Sequence, residues 1–433
     1  MSGASRPVDR SSSLTRRGLI GLAGVSAAAG AAAFVGASPA APGAGSAGPN
    51  AGEGRPADAV PFYGDHQAGI TTPAQDRMHF ASFDVTTSSR DELVALLTAW
   101  TAAAAEMTAG RQVGGDPVPY DAPPNDTGEA DDLSAGHLTI TFGFGPTLFR
   151  DDAGRDRFGL AARQPAALRR LPHFPADKLD PRKSDGDLCI QACADDPQVA
   201  VHAVRNLSRI AFGTAALRWS QLGFGRTSST STSQATPRNL FGFKDGTANI
   251  KAEDPQALDS HVWVAAGDDP GSEWLSGGSY LVARRINMTI ETWDRASLRE
   301  QEMIVGRDRP AGAPLSGGDE FAQPDFTLAG RGGTPIIHAD SHVALAHPTH
   351  NNGVQMLRRG YNFTDGNDAL GRLDAGLFFI AYVRDPRTHY IPMQTRMSRQ
   401  DLMMEYLQHR GSGLFAVPPG VREGEHVGAA LFA

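Results

Sequence analysis

The chain has 433 residues, which is enough for two or three domains. Hydrophobic residues make up 40% and charged residues 20%, a composition that argues against a disordered chain and against a multi-span membrane protein. With 40 Lys and Arg against 48 Asp and Glu the net charge is -8, so nucleic acid is an unexpected partner, and 2 Cys cannot form a disulfide framework.

The first 60 residues predict export. Arg16 and Arg17 precede an apolar Ala/Gly-rich run, and residues 1–37 are predicted to be a twin-arginine signal peptide. A single membrane anchor is the alternative, but the run is short and weakly apolar for a stable span. Residues 38–60 read as a flexible linker. A periplasmic, cell-surface or extracellular protein is expected, and this route often carries proteins already folded around a cofactor.

The first half of the remaining chain alternates strands and helices. HFASFDV, from residue 79, has the alternation of a half-buried strand, and the helix after it has Ser89 as its N-cap. A polar loop over 110–135 follows, then the strands HLTITFGFG and DLCIQAC, a helix from Asp196, and the strand LRWSQLGF. The pattern is β-α-β-β-α-β.

The second half is predicted to repeat this order. Residues 279–293 read as a long strand, 297–306 as a helix, 341–346, 357–363 and 376–383 as strands, and 400–409 as a helix. Two ferredoxin-like halves with antiparallel sheets are therefore expected, over 61–245 and 246–433, in an α+β fold.

The densest group of histidines comprises His338, His342, His347 and His350. Zinc is one interpretation, but Pro348 interrupts the run, no HExxH pattern is present and neither cysteine is near. Histidines on the surface or in loops are the simpler alternative.

Two further segments place charged residues beside glycines or in a predicted strand. GFKDGTAN, residues 242–249, has an aspartate between glycines, which on local grounds predicts a tight turn. In LRRGY, residues 357–361, one arginine must face inward if the segment is a strand, and a buried arginine is expected to need an anionic partner.

Taken in order, these segments resemble the dye-decolourising peroxidase family over nearly the whole predicted mature chain. The matching motifs include GDLCIQACADD at 186–196, NLFGFKDGTAN at 239–249, GRDRPAGAPL at 306–315, DSHVALAHP at 340–348 and LRRGYNF at 357–363. The form with an export signal and LRRGY is similar to the deferrochelatase-type branch of bacterial iron-uptake systems.

The resemblance implies one haem b in the C-terminal half and a role for each matching residue. His342 corresponds to the iron ligand, and Asp340 and Asp374 are candidates, by chain position alone, for the acceptor that holds its Nδ1–H. Asp245 corresponds to the acid–base residue on the opposite, distal face of the haem. Arg358 corresponds to the distal cation.

Weaker assignments follow from the same resemblance. Arg307 and the backbone at Gly246 and Thr247 are expected near the haem propionates, and Phe379 over the distal face. Trp263, Trp293, Tyr361 and Tyr390 are candidate relays for surface electron transfer, although an ordinary core or surface role is the favoured explanation of each. An apolar strand explains Phe379 equally well.

The sequence departs from the family pattern at His347 and His350, either of which could compete with His342 for the iron. Cys189 and Cys193 lie too far apart along a strand for a disulfide and are expected to be buried thiols.

The resemblance therefore leaves two alternative functions. The first is a peroxidase that reduces hydrogen peroxide and oxidises phenolic or dye-like one-electron donors through a ferryl intermediate. The alternative is a haem-binding or iron-acquisition protein, deferrochelatase-like, with incidental peroxidase activity. Candidate protein partners are an iron-uptake system and a second copy of the chain.

Overall fold

The computed structural model describes residues 57–115 and 118–433. The predicted signal peptide and most of the predicted linker lie outside these residues. Within the described ranges, no helix combines the length and apolarity needed to cross a membrane.

Strands and helices alternate in both halves of the chain. The strands are β1 (Arg77–Val85), β2 (Thr139–Phe144), β3 (Leu188–Ala194), β4 (Ala215–Arg226), β5 (Ser279–Met288), β6 (Leu357–Arg358), β7 (Tyr361–Asn367), β8 (Leu373–Val383) and β9 (Leu407–Val417). The helices are α1 (Arg90–Thr108), α2 (Pro146–Phe149), α3 (Pro197–Ile210), α4 (Pro255–His261), α5 (Ile290–Trp293), α6 (Leu298–Val305), α7 (His342–Ala346), α8 (Ile391–Gln400) and α9 (Ala429–Phe432).

Each half forms a ferredoxin-like antiparallel sheet, the fold class predicted from the sequence. The first half is ordered β4-β1-β3-β2, and the second is ordered β9-β5-β8 followed by β7, all antiparallel. The halves join where Phe144 pairs with Ala416 and Phe224 with Asn362. The sheet therefore closes into a barrel, which removes the edges that open sheets expose.

β6 and β7 follow one another along the same edge of β8. Leu357 pairs with Tyr382 and Tyr361 with Phe378, and between them the Arg359 N–H donates to the Ile380 carbonyl at 2.8 Å. The ladder is thus continuous through LRRGY. Because side chains alternate along a strand, Arg358 and Arg359 point to opposite faces of the sheet.

Three apolar clusters organise the packing. The largest lies between the helices α1 and α3 and the strands of the first half, around the buried Trp100. A second fills the barrel, with Phe80, Phe378 and Tyr382. The third, around Trp293, lies outside the barrel beside the second-half helices.

Three predicted elements were wrong. The strand that begins at Ser279 ends at Met288, and a short helix follows it. Residues 342–346 form α7 rather than a strand, because the Ser341 hydroxyl caps the helix by accepting from Ala344 N. Residues 400–409 do not form a helix: α8 ends at Gln400, a short 3-10 turn follows, and β9 begins at Leu407.

The inward-facing arginine of LRRGY is Arg359, which is fully buried, and the expectation of an anionic partner was wrong. Its guanidinium donates to the Thr72 carbonyl, the Gln75 side-chain amide oxygen and the Thr230 hydroxyl. Neutral oxygens of Thr72, Gln75 and Thr230 thus accept from both Nη atoms, while Nε lacks a partner.

A different arginine has the buried ion pair. Arg284 in β5 bonds to Asp177, and both side chains are almost completely shielded from solvent. We expect Asp177→Ala to lower the free energy of unfolding by about 3–5 kcal/mol, because it leaves a buried charge without its partner. Urea unfolding measures this loss.

The matched control for this prediction is Asp268→Ala, which removes the partner of Arg384 in a half-exposed pair. A pair of that kind is worth about 0–1 kcal/mol. Equal losses in the two variants would contradict the assigned cost of the buried charge.

Candidate active site

A cavity of about 400 Å³ lies between the outer face of the second-half strands and the helices α6 to α8. Its walls are mostly apolar. The strand side contributes Ile286, Met288, Leu377, Phe379, Leu407 and His409. The helix side contributes Val305, His342, Val343, Ala346, Met393, Gln394 and Met397.

His342 begins α7 and lies on one wall of this cavity. Its Nδ1 is 2.7 Å from Oδ2 of Asp401, whose side chain is 1% exposed. The other carboxylate oxygen of Asp401 accepts from Met403 N at 2.9 Å, which fixes the orientation of the group. Burial lowers the pKa of His342, but the charge and hydrogen bond of Asp401 outweigh it, so the net shift is upward.

The hydrogen-bond acceptor for His342 Nδ1 is therefore Asp401, and not Asp340 or Asp374. Asp340 contributes only its backbone carbonyl, which receives Leu402 N at 3.1 Å and holds the Asp401 segment beside α7. Asp374 bonds to Arg285 and Asn287 instead. Both candidates chosen from chain position were wrong.

Asp245 and Arg358 meet in the lining of the same cavity. Arg358 Nη1 donates to Asp245 Oδ1 at 2.9 Å, although the residues are 113 positions apart. Asn239 Nδ2 donates to the other Asp245 oxygen at 3.2 Å. Both members of the pair are partly buried and line the cavity.

The local backbone explains how this pair is held. Gly246 has φ +84°, and a Cβ there would lie 2.8 Å from Ser228 Cα, so the turn predicted for GFKDG requires glycine. Asn249, at the end of the same segment, accepts from Arg358 N at 2.7 Å and donates to Arg358 O at 2.9 Å. One segment therefore carries the carboxylate and orients the strand that carries the guanidinium.

The residues of the cavity fit haem. His342 Nε2 makes no hydrogen bond with any residue the structure describes, and the side chain is 34% exposed, so one imidazole nitrogen is free in the cavity. A neutral nitrogen oriented by a carboxylate is a common ligand of haem iron, and apolar walls suit the porphyrin faces.

Comparisons with known proteins agree with this geometry. Residues 67–225 match the N-terminal model of the Dyp-type peroxidases, and residues 236–422 match the C-terminal model. The chain is 37% identical over 376 residues to the deferrochelatase of Escherichia coli, which covers 86% of each chain.

The chain belongs to the Dyp-type peroxidase family.

Solved structures of the family are similar throughout the described part of the chain. Ferric DtpA from Streptomyces lividans is 38% identical, with 87% of this chain and 97% of that chain covered and a TM-score of 0.78. A DyP-type peroxidase from Streptomyces coelicolor is 39% identical, with coverage of 86% and 96% and a TM-score of 0.78. The chain is therefore a haem-dependent peroxidase with the α+β fold predicted from its sequence, and its cofactor is haem b.

The weaker site predictions also fall at the Dyp-type cavity. Arg307, Gly246, Thr247 and Phe379 all line it. Arg307 Nη1 donates to the carbonyls of Gly312 and Glu320, both at 2.7 Å, so this guanidinium supports the loop beside the cavity. The propionate contacts of Arg307, Gly246 and Thr247, and the position of Phe379 over the distal face, stay predictions.

The two histidines that depart from the family pattern have other partners. His347 lines the cavity and bonds to the Thr349 hydroxyl at 2.8 Å. His350 bonds through Nδ1 to the Ala344 carbonyl at 2.7 Å. Of these three histidines, His342 has the carboxylate partner expected of an iron ligand. In the described ranges, no group of three or more His, Cys, Asp or Glu side chains could hold a metal ion such as zinc.

The four aromatic residues considered as relays are all buried. Trp293 and Tyr361 are core residues, and Trp263 stacks on His66 with ring centroids 3.8 Å apart. Tyr390 lines the cavity. The cysteines are free, buried thiols, as expected.

Several residues of the Dyp-type site escaped sequence reasoning. Asp401 was assigned to a helix, although an aspartate just before LMME is a usual N-cap signal. Asn249 lies in the GFKDGTAN motif, but its two hydrogen bonds with Arg358 depend on tertiary structure. Six of the 10 methionines line the cavity, and their scattered positions show no pattern: Met288, Met356, Met393, Met397, Met403 and Met404.

Two histidines, the buried His409 and the half-buried His79, predict a pH-dependent stability. Burial and the neighbouring Arg284 lower the pKa of His409 to about 3, and burial lowers that of His79 to about 4. Below about pH 6.5 the unfolded chain binds protons at these positions that the folded chain does not, so stability is expected to fall with pH from there towards pH 4.

Thermal unfolding between pH 7 and pH 4 measures this effect. His79→Gln is expected to flatten the pH dependence, because the variant has nothing to protonate there. The control is His338→Gln, which replaces a half-buried histidine whose Nδ1 accepts from Asp340 N, and it is expected to retain the wild-type slope. An unchanged slope in His79→Gln would contradict the assignment.

Proposed function

We propose that this chain is an exported peroxidase in which His342 is the iron ligand and Asp245 and Arg358 activate hydrogen peroxide. One observation carries the proposal: the Asp245–Arg358 ion pair and the Asp401-bound His342 line the same cavity. Haem b, when bound, supplies the iron at which peroxide is reduced and the oxidising equivalents that donors consume.

The protein side chains move protons and stabilise charge. The Asp245 carboxylate accepts the proton of one peroxide oxygen and returns it to the other, so that the second oxygen leaves as water. The Arg358 guanidinium stabilises the negative charge that develops on the leaving oxygen. Two one-electron donors then complete the reduction, and the expected donors are phenolic or dye-like molecules.

On the opposite wall, Asp401 has a structural and an electronic role. By accepting from Nδ1 it fixes the tautomer that leaves Nε2 of His342 free, and it increases the basicity of that nitrogen. Haem carriage alone requires neither a distal carboxylate nor a distal cation. The Asp245–Arg358 pair therefore favours peroxidase chemistry.

The alternative is haem or iron handling, and the similarity to deferrochelatase is the observation in its favour. Transfer of haem from the purified holoprotein to excess apo-myoglobin distinguishes the two. A peroxidase is expected to retain its haem through many turnovers, whereas a carrier is expected to lose haem at a rate comparable with turnover.

Export by the twin-arginine route rests on Arg16 and Arg17 ahead of the apolar run. Replacing both arginines by lysine is expected to keep the full-length chain in the cytoplasm of a host with this export system. The wild type is expected outside the cytoplasmic membrane, shortened near residue 37. Immunoblots of cell fractions measure both outcomes. Iron-uptake partners and self-association remain predictions.

A further inference from the structure

A short segment connects the two functional walls of the cavity along its outer side. This wall segment comprises residues 320–326, and Phe321, Ala322, Gln323 and Pro324 within it line the cavity. Phe321 is also 67% exposed, so the segment separates the cavity from solvent.

The first end of the wall segment is bonded to the residues around Asp245. The Glu320 carboxylate forms an ion pair with Lys244 and accepts from the Thr247 hydroxyl at 3.3 Å. Lys244 and Thr247 lie on either side of Asp245 and Gly246 in the chain. The Glu320 side chain is 12% exposed, and its backbone carbonyl accepts from Arg307 Nη1 at 2.7 Å.

The second end packs against the segment that carries the iron ligand. The Phe326 ring centroid is 5.1 Å from that of His347 and 4.7 Å from that of His350. His350 in turn bonds to the carbonyl of Ala344 in α7, the helix that begins at His342. The wall segment therefore contacts both the loop that bears Asp245 and the residues that follow α7.

Removing the Glu320 carboxylate would break the ion pair that joins the wall segment to the loop bearing Asp245. The stem of Lys244 is confined against Gly312, where an added Cβ would lie 2.7 Å from Lys244 Cδ. Arg307 and Arg358 are the other cations of the same cavity. Without Glu320, a partly buried ammonium group would lack its partner beside these cations and would move towards solvent, carrying the Asp245 turn with it.

We propose that Glu320 is a positioning residue of the peroxidase reaction, which aligns the turn bearing Asp245 and holds the wall segment closed over the haem cavity. This inference rests on the proposed role of Asp245. According to this inference, the Glu320 carboxylate has two effects. It increases the rate of reaction with peroxide, and it hinders the passage of haem and large donors into and out of the cavity.

The experiment compares Glu320→Ala, Glu320→Gln, Lys244→Met and Phe326→Ala, with Asp319→Asn as the matched control. Asp319 is the exposed carboxylate adjacent to Glu320, and asparagine preserves its acceptor for Phe321 N. Three quantities are measured on the holoprotein: haem transfer to excess apo-myoglobin, the second-order rate with peroxide, and KM for a small phenol and for a bulky dye.

Glu320→Ala and Lys244→Met are each expected to increase haem transfer and to lower the peroxide rate by about tenfold, the equivalent of about 1.4 kcal/mol. The effects of Glu320→Ala and Lys244→Met are expected to be less than additive in the double variant, because both remove the same ion pair. KM for the bulky dye is expected to fall while that for the phenol stays constant. Glu320→Gln is expected to cause smaller changes than Glu320→Ala in all of these quantities. Phe326→Ala is expected to increase haem transfer but to lower the peroxide rate less than Glu320→Ala does.

Several results would overturn the inference. One is that Glu320→Ala and Asp319→Asn give the same haem transfer, the same peroxide rate and the same KM values. Another is additivity of the two single variants, and a third is a lowered melting temperature with haem transfer and both KM values unchanged. If Asp245→Asn leaves the peroxide rate intact, the proposed role of Asp245 fails, whereas the haem-transfer comparison still tests whether Glu320 holds the wall segment closed.

Discussion

Asp245→Asn is expected to lower the second-order rate constant for hydrogen peroxide by about 10²–10⁴, because asparagine cannot accept and return the peroxide proton. The amide is nearly isosteric with the carboxylate, so the hydrogen bond from Arg358 Nη1 to Oδ1 is retained. Haem should stay bound. Stopped-flow absorbance in the Soret region measures the rate, and the resting spectrum measures haem content.

Arg358→Leu provides the companion variant. Loss of its cation is expected to slow peroxide reduction by about 10²–10³, in line with the removal of one stabilising donor at a site of developing charge. The double variant is expected to be little slower than the slower single one, because the two groups act as a unit.

The matched control is Asp374→Asn, which alters an aspartate paired with an arginine at 3.1 Å outside the cavity. Its peroxide rate is expected to equal that of the wild type. A rate for Asp245→Asn within a factor of about two of this control would rule out Asp245 as the acid–base residue.

His342→Ala is expected to abolish axial ligation of the haem iron by histidine. Since the apolar walls remain, some haem is expected to bind, but with a changed Soret band and greatly reduced affinity. Asp401→Asn is expected to weaken binding by about 10–100-fold, because the ligand loses the carboxylate that orients it. Haem titration followed by absorbance and electron paramagnetic resonance measures both effects.

His338→Gln is the control for ligation, since this histidine belongs to the same group of four histidines but lies outside the cavity lining, with its Nδ1 accepting from Asp340 N. Its spectrum is expected to be that of the wild type. Persistent histidine ligation in His342→Ala would assign the iron to another residue, and His347 on the cavity wall would be the first to examine.

Much of the first half of the fold could be predicted because its signals are local. In β1 and α1 the strand alternation and the Ser89 cap are both properties of neighbouring residues, and each element formed where it was expected. The second half failed where local and tertiary preferences differ. The residues of α7 suit a strand by composition, but the cap at Ser341 and packing against α8 produce a helix.

The same distinction between local and tertiary signals applies to the residues of the active site. His342, Asp245 and Arg358 could be proposed from the sequence because each lies within a motif of consecutive residues, and all three line the cavity. The acceptor for His342 could not be identified, because Asp401 lies 59 residues away and is brought close by the path of the chain between α8 and β9.

The sequence alone determined the family, the βαββαβ order of the first half and the residue types available for chemistry, since these depend on neighbours along the chain. Only the tertiary structure decided which charges meet: Arg358 with Asp245, Arg284 with Asp177, and Arg359 with neutral oxygens instead of an anion. Pairing of this kind depends on barrel closure, which brings together side chains more than a hundred residues apart, and no local periodicity encodes it.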